Sequence, residues 1–313
     1  VSGNEEDVKN FISEEMKKYC DEVYTDAMGN LIARKKGSGK KVMLAAHMDE
    51  IGIMVTNIDE NGFLSFTSIG GLNTPNLSNL RVEFKNGIKG VIGAREEEFR
   101  KKASLDKLYI DIGVSSKKEA EKLICIGDVA AFEGGFYKKG NTVVSKALDN
   151  RAGCTILIGA ASMSKTNNDL YFVFTTQEEV GLRGAKTAAF SIEPDIAIAV
   201  DVTDTGDTPD APTMAVKIGG GAAIKVMDHS VICDAEVRTL LIETAKKNKI
   251  AYQLEIMTDG GTDAGAIHLT KAGIKTGGIS VPTRYIHSPS EMINTEDLEN
   301  CTKLIAEAVK LQW

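Results

Sequence analysis

The spacing of apolar residues changes character twice along this 313-residue chain, and that double change limits the folds open to it. Toward both ends, apolar runs alternate with segments of helical spacing; between about Thr56 and Gly140 the helical spacing is nearly lost. From Glu5 to Tyr19, Val8, Phe11, Ile12 and Met16 make a one-sided stripe that predicts an opening helix packed on a sheet. Residues 22–33, interrupted by a Met28-Gly29-Asn30 turn, and residues 41–46 read as strands. The Gly-Ser-Gly-Lys between them is a solvated turn and no phosphate loop, because one residue separates its glycines where four are needed.

After Val143, helices are predicted at 150–164, 183–190, 234–249, 264–272 and 296–310, alternating with strands at 170–176, 195–201, 252–257 and 275–280. Such alternation predicts an α/β fold with a mostly parallel sheet and helices on both faces. The middle of the chain holds short runs such as FLSFTSI, LRVEFKN and KLYIDIGV, one short helix at 115–123, and a charged stretch, REEEFRKK at 95–102, read as solvated loop. The expected organisation is one α/β domain made from 1–56 and 142–313, interrupted by a β-rich insert at 57–141.

Charge and cysteine content exclude several classes of function. With 37 basic against 44 acidic residues the net charge is −7, and no basic tract exists, so an electrostatic nucleic-acid or membrane binder is not expected. Five scattered cysteines without a C-x-x-C pair suggest neither a zinc knuckle nor a disulfide framework, and point to a reducing cytoplasm. No apolar run is long enough to span a membrane, and the first residues do not resemble a secretory signal.

Open α/β sheets bind ligands at the carboxyl ends of their strands. In this chain VMLAA leads into His47-Met48-Asp49, YFVFTT into Gln177-Glu178-Glu179, DIAIAV into Asp201, and the last strand toward His287; Asp149 precedes the first helix after the insert. Each has an ordinary structural explanation, such as a helix cap at Asp149 or a turn at Asp201. Their coincidence on one edge does not, because unpaired carboxylates gathered there would repel. If Asp149, Glu179 and Asp201 ligate together with His47 and His287, three negative charges face two Zn²⁺ or Co²⁺ ions, and Asp149 would bridge. The second glutamate of the pair would then be a free base, although spacing leaves open which of Glu178 and Glu179 plays which part. Asp49, two residues beyond His47, is placed to accept the other imidazole N–H.

The motifs AAHMDEIG (45–52), ALDNRAG (147–153), TTQEEVGLRGA (175–185), VDVT (200–203), GGTDAGA (260–266) and PTRYIHSPSE (282–291) resemble, in order and over nearly the whole chain, the M42 family of metallo-aminopeptidases. That group includes glutamyl aminopeptidases and the tetrahedral TET peptidases. The resemblance implies His47, Asp149 and Asp201 on one metal, Asp149, Glu179 and His287 on the other, Glu178 as general base and Asp49 as the support of His47. It implies metal-dependent removal of N-terminal residues from short peptides, and an insert that makes dimers, with a tetrahedral dodecamer as the larger assembly. Family members carry a helix ahead of a start such as Val1-Ser2-Gly3, so residues are expected to precede it. Gly261 and Thr262 are expected to wall the substrate pocket and Arg284 to meet a substrate carboxylate or pair internally, while His229 and His268 belong to no convergent set. Rival readings are a related hydrolase of acylated or C-terminal residues, an endoglucanase, which would leave the histidines unexplained, and a non-catalytic assembly protein.

Overall fold

The computed structural model describes residues 1–311 and 313. The chain opens with α1 (Glu6–Met16), β1 (Glu22–Thr25), β2 (Leu31–Lys35) and β3 (Lys41–His47). Six strands follow, β4 (Gly52–Ile58), β5 (Leu64–Ile69), β6 (Arg81–Phe84), β7 (Lys89–Ala94), β8 (Leu108–Asp111) and β9 (Val129–Phe132), with the short helices α2 (Glu96–Lys101) and α3 (Lys117–Ala120) among them. Next come β10 (Tyr137–Lys139), β11 (Thr142–Ser145), α4 (Leu148–Met163), β12 (Asp169–Thr175), α5 (Arg183–Ile192), β13 (Ile196–Thr203) and β14 (Ala222–Met227). The chain closes with α6 (Ala235–Lys247), β15 (Tyr252–Ile256), α7 (Ala264–Ile267), β16 (Lys275–Arg284), β17 (Glu291–Asn294) and α8 (Thr295–Ala308).

Eleven strands form one sheet in the order β1-β2-β12-β3-β13-β16-β17-β11-β10, with β14 and β15 branching from β16. In β3, Val42, Leu44 and Ala46 face α1, α4, α6 and α8, while Met43 and Ala45 face α5 and α7. Helices therefore cover both faces, and the strict alternation of two apolar sets explains why β3 and β12 read as continuous apolar runs. The expectation of a mostly parallel sheet is corrected. Parallel pairing joins β12, β3, β13 and β16 at the centre and β14 to β15, but the flanking pairs β1/β2, β2/β12, β14/β16, β16/β17, β17/β11 and β11/β10 are antiparallel. The β1–β2 and β10–β11 connections are too short for the helical crossover that parallel neighbours require.

Other differences are local. The stripe of α1 buries Ile12 and Met16 but leaves Phe11 65% exposed, outside the contact face. REEEFRKK is helical at α2, with glutamates in its first turn and Arg100 and Lys101 in its last, an arrangement that suits the helix dipole. The helix expected at 264–272 ends at Ile267. Strands β14 and β17 had no counterpart in the sequence reading: β14 carries Lys225 within it, and β17 is four residues long and begins at Glu291.

Strands β4-β5-β8-β7-β6-β9 close into a barrel. Its strands alternate plainly, as in β6, where Val82 and Phe84 point inward and Arg81 and Glu83 outward. Ile53, Leu64, Val82, Ile92 and Ile110 fill the interior. The barrel strands run from Gly52 to Phe132, and β10, inside the 57–141 range, pairs in the large sheet.

Candidate metal centre

Parallel pairing of β12, β3, β13 and β16 brings their carboxyl ends to one edge, and five of the singled-out residues arrive there from those strands. His47 is the last residue of β3, Asp201 lies near the end of β13, Glu178 and Glu179 follow β12, and His287 follows β16. Asp149 comes from the antiparallel flank, at the head of α4, where it and Asn150 depart from helical backbone angles.

The six side chains meet. His47 Nε2 stands 3.0 Å from Asp149 Oδ1, 3.6 Å from Asp201 Oδ1 and 3.9 Å from Glu178 Oε2. His287 Nε2 stands 3.2 Å from Glu179 Oε2 and 3.4 Å from Asp149 Oδ2. The two oxygens of Asp149 thus face different histidines. Donor atoms of His47, Glu178 and Asp201 lie within 4.8 Å of one another, as do those of His47, Asp149 and Glu179. The nitrogen His47 turns away, Nδ1, is 3.1 Å from the main-chain oxygen of Asp49 and 3.5 Å from its Oδ1. Acceptors at Nδ1 favour the Nδ1–H tautomer and leave the Nε2 lone pair facing the carboxylates.

Asp49, 1% exposed, does more than face His47. Its carboxylate accepts the Ser2 hydroxyl (2.6 Å), the Glu178 main-chain N–H at Oδ1 (3.1 Å) and the Glu179 N–H at Oδ2 (3.2 Å). From the barrel side, Gly70 at φ +77° lets the chain pass close to Glu179, where a Cβ would stand 3.1 Å from Oε2.

Electrostatics explain why this set wants cations. Burial, foremost, pushes the carboxyls of Glu178, Glu179 and Asp201 above their usual range. Burial also opposes charge on the histidines, yet the charges of Glu178 and Asp201 raise His47 well above its ordinary value, and bonds to Asp149 and Glu179 raise His287 to about 11. The Asp149 carboxyl is lowered: burial acts against this, and the two imidazoles outweigh it. Protons alone balance the cluster poorly, and Glu179 Oε1 is buried without a hydrogen-bond partner. Divalent cations would satisfy the orphaned oxygen and the carboxylate repulsion together, and a His/Asp/Glu donor set suits them.

The centre opens into a cavity of about 510 Å³. Gly261 lines it, whereas Thr262 sits behind the wall with its hydroxyl on Asp228 (3.3 Å). Of the two expectations for Arg284 the structure has the internal pair: its guanidinium forks onto Asp207 (2.9 and 2.8 Å) and does not line the cavity. His229, set apart from any convergent group in the sequence, lines the cavity just beyond the end of β14, a strand that was not legible in the sequence.

Two buried acids had no part at the centre in the sequence reading, which placed Asp263 only near a helix start. Asp263 makes no cap bond to α7; its Oδ2 accepts the Thr175 hydroxyl (2.6 Å), and burial, foremost, pushes it up to about 7. Glu291 accepts the main-chain N–H groups of Asp149 (2.9 Å) and His287 (3.1 Å). Burial and the Asp149 charge push its carboxyl up to about 8, against those two bonds. Asp263 meets its partner 88 residues away in the chain, and Glu291 joins His287, four residues away, to Asp149, 142 residues away, a link that no local pattern announces.

A mixed α/β sheet with histidines and carboxylates converging at the carboxyl edge of its parallel strands defines a hydrolase of the metal-dependent type. The M42 glutamyl aminopeptidase family matches residues 29–304, so the chain belongs to that family and is a peptide hydrolase of the aminopeptidase class. An Acetivibrio thermocellus chain provisionally named an aminopeptidase is 58% identical over 99% of this chain and 94% of its own length. The aminopeptidase APDkam598 of Desulfurococcus kamchatkensis superposes with a TM-score of 0.93 at 41% identity, over 98% of this chain and 89% of that one. The TET1 peptidase of Pyrococcus horikoshii, described as assembling into a tetrahedron or a large octahedral shell, superposes with a TM-score of 0.89 at 35% identity, over 99% and 95%. Among the described residues no helix is long and apolar enough to cross a membrane.

Proposed function

We propose that this chain removes N-terminal residues from short peptides using two divalent cations, Zn²⁺ or Co²⁺. The observation that carries the reading is the split of the Asp149 carboxylate, one oxygen toward His47 and the other toward His287. His47, Asp149 and Asp201 would hold one ion, and Asp149, Glu179 and His287 the other. When bound, such ions supply Lewis acidity that activates a water and polarises the scissile carbonyl.

The chain's own residues supply the rest. Glu178 lies near enough to His47 and Asp201 to count as a donor, but at 3.9 Å it is the longest of the three approaches to His47 Nε2, which leaves it for protons. Its buried carboxyl, held above the usual range, suits a group that takes a proton from water and returns it to the leaving amine. Asp49 keeps the Glu178–Glu179 pair in register through their main-chain N–H groups. Asp204 and Asp259 line the cavity beside the centre, which favours a substrate with a free, cationic α-amine. The barrel, the core of the 57–141 insert, would form subunit contacts, with dimers as the unit and the tetrahedral dodecamer as the larger assembly.

The test uses matched peptides with free and acetylated N-termini, on metal-stripped protein before and after Zn²⁺ or Co²⁺ is restored. Metal-dependent cleavage of the free peptide alone is expected. Cleavage of the acetylated peptide alone would transfer the site to acyl or C-terminal substrates, and cleavage of neither would leave an assembly protein.

A further inference from the structure

Asp149 and His287 both sit on irregular backbone. Asp149 leaves helical geometry at the head of α4, and His287 adopts φ +59° beyond the end of β16. A side chain on such backbone keeps its place only where something outside the segment anchors it. One anchor is common to the pair, the carboxylate of Glu291, 2% exposed, with Oε2 accepting from Asp149 N and Oε1 from His287 N.

The antiparallel flank of the sheet puts it there. β17 begins at Glu291 and pairs on one side with β11, Ser145 opposite Glu291, and on the other with β16, Arg284 opposite Met292. The loops that carry Asp149 and His287 leave from the ends of β11 and β16, so Glu291 lies between their roots. Asp49 does the same across the centre, one oxygen on each main-chain N–H of Glu178 and Glu179.

We infer that Glu291 is a positioning residue for the cation centre: its carboxylate ties together the two loops that carry Asp149 and His287, and so sets the shape of the ion site those residues share. The inference rests on the two-cation reading above. It makes a demand that bulk and polarity alone would not. Each oxygen accepts one N–H, so both must be acceptors; a glutamine in the same place keeps the shape but turns an NH₂ group toward one of the two amides. An aspartate keeps two acceptor oxygens but is one methylene too short to span the two amides.

The experiment compares wild-type protein with Glu291→Gln and Glu291→Asp, each stripped with a chelator and titrated with Zn²⁺ by calorimetry, with folding followed by circular dichroism. Wild type is expected to take two ions. Both variants are expected to hold the ion assigned to His287 and Glu179 about 10–100-fold more weakly, the usual consequence of removing an outer-shell partner. Wild-type affinity in Glu291→Gln overturns the inference, and wild-type affinity in Glu291→Asp overturns it too, by showing that the reach of the side chain to both amides does not matter. Where Glu291→Gln fails to fold, Glu291→Asp decides on the same terms. Hydrogen exchange on the wild type needs no variant: slow exchange at the Asp149 and His287 amides is expected, and exchange at the rate of open loops overturns the clamp. Fewer than two ions on wild type defeats the two-cation reading itself, and the inference with it.

Discussion

The barrel and the carboxyl edge of the large sheet are built on opposite principles. The barrel interior is wholly apolar: among its described residues no charged side chain is buried, and ion pairs such as Lys89–Glu133 and Arg100–Glu96 sit on its surface. The sheet edge buries His47, Asp49, Asp149, Glu178, Asp201, Asp263 and Glu291 within one small volume. Burying charge is costly unless it is paired or bound to metal, so an edge of this kind is sustained by the apolar packing around it. Stability is concentrated where no chemistry occurs, and chemistry where stability is spent.

Three substitutions test that contrast. The largest effect belongs to the edge: Glu178→Gln should retain both ions while lowering kcat by about 10²–10⁴-fold. Ion content measured beside steady-state kinetics checks it, and normal turnover would remove Glu178 from the base role. The barrel should answer in the other currency. Ile110, fully buried among Leu64, Val82 and Ile92, when changed to alanine should lower the unfolding free energy by about 2–5 kcal/mol and leave kcat unchanged below the melting transition. A fall in kcat without a loss of stability would break the division between the two regions.

The smallest effect lies on the sheet but away from its chemistry. The Arg284 guanidinium holds the Asp207 carboxyl down at about 2, below its unfolded value near 4. A pKa lowered on folding adds stability that is present above about pH 4 and lost as pH falls through about 2. Asp207→Asn should therefore cost about 1–2 kcal/mol at pH 7, trimmed by solvent because its side chain is 22% exposed, and the difference from wild type should shrink on acidification. Denaturant midpoints between pH 7 and pH 3 measure this, and a gap that stays constant with pH would assign the cost to the lost hydrogen bonds alone.

Most helices and the central strands were legible because their signals are local. Continuous apolar runs at 41–46 and 170–176 mark strands buried on both faces, and the residues that follow them mark the ligand edge. The antiparallel flank was not legible. β17 is four residues long and begins with a glutamate, β14 carries Lys225 inside the sheet, and neither has the alternation that identifies a strand. Arg284, the last residue of β16, illustrates the same limit, since its partner Asp207 lies on a loop 77 residues away and nothing near either residue announces the other.

By itself the sequence determined which residues can carry charge and bind a cation, and that strands alternating with helices would deliver them to one edge. Side-chain chemistry and short-range periodicity are properties of the chain alone. Only the tertiary structure decided that Asp149 turns one oxygen to each histidine, that Asp49 and Glu291 act through main-chain N–H groups, and that Arg284 is already engaged. Those outcomes depend on distances between segments far apart in the chain, set by strand pairing and packing, and no local pattern encodes a distance of that kind.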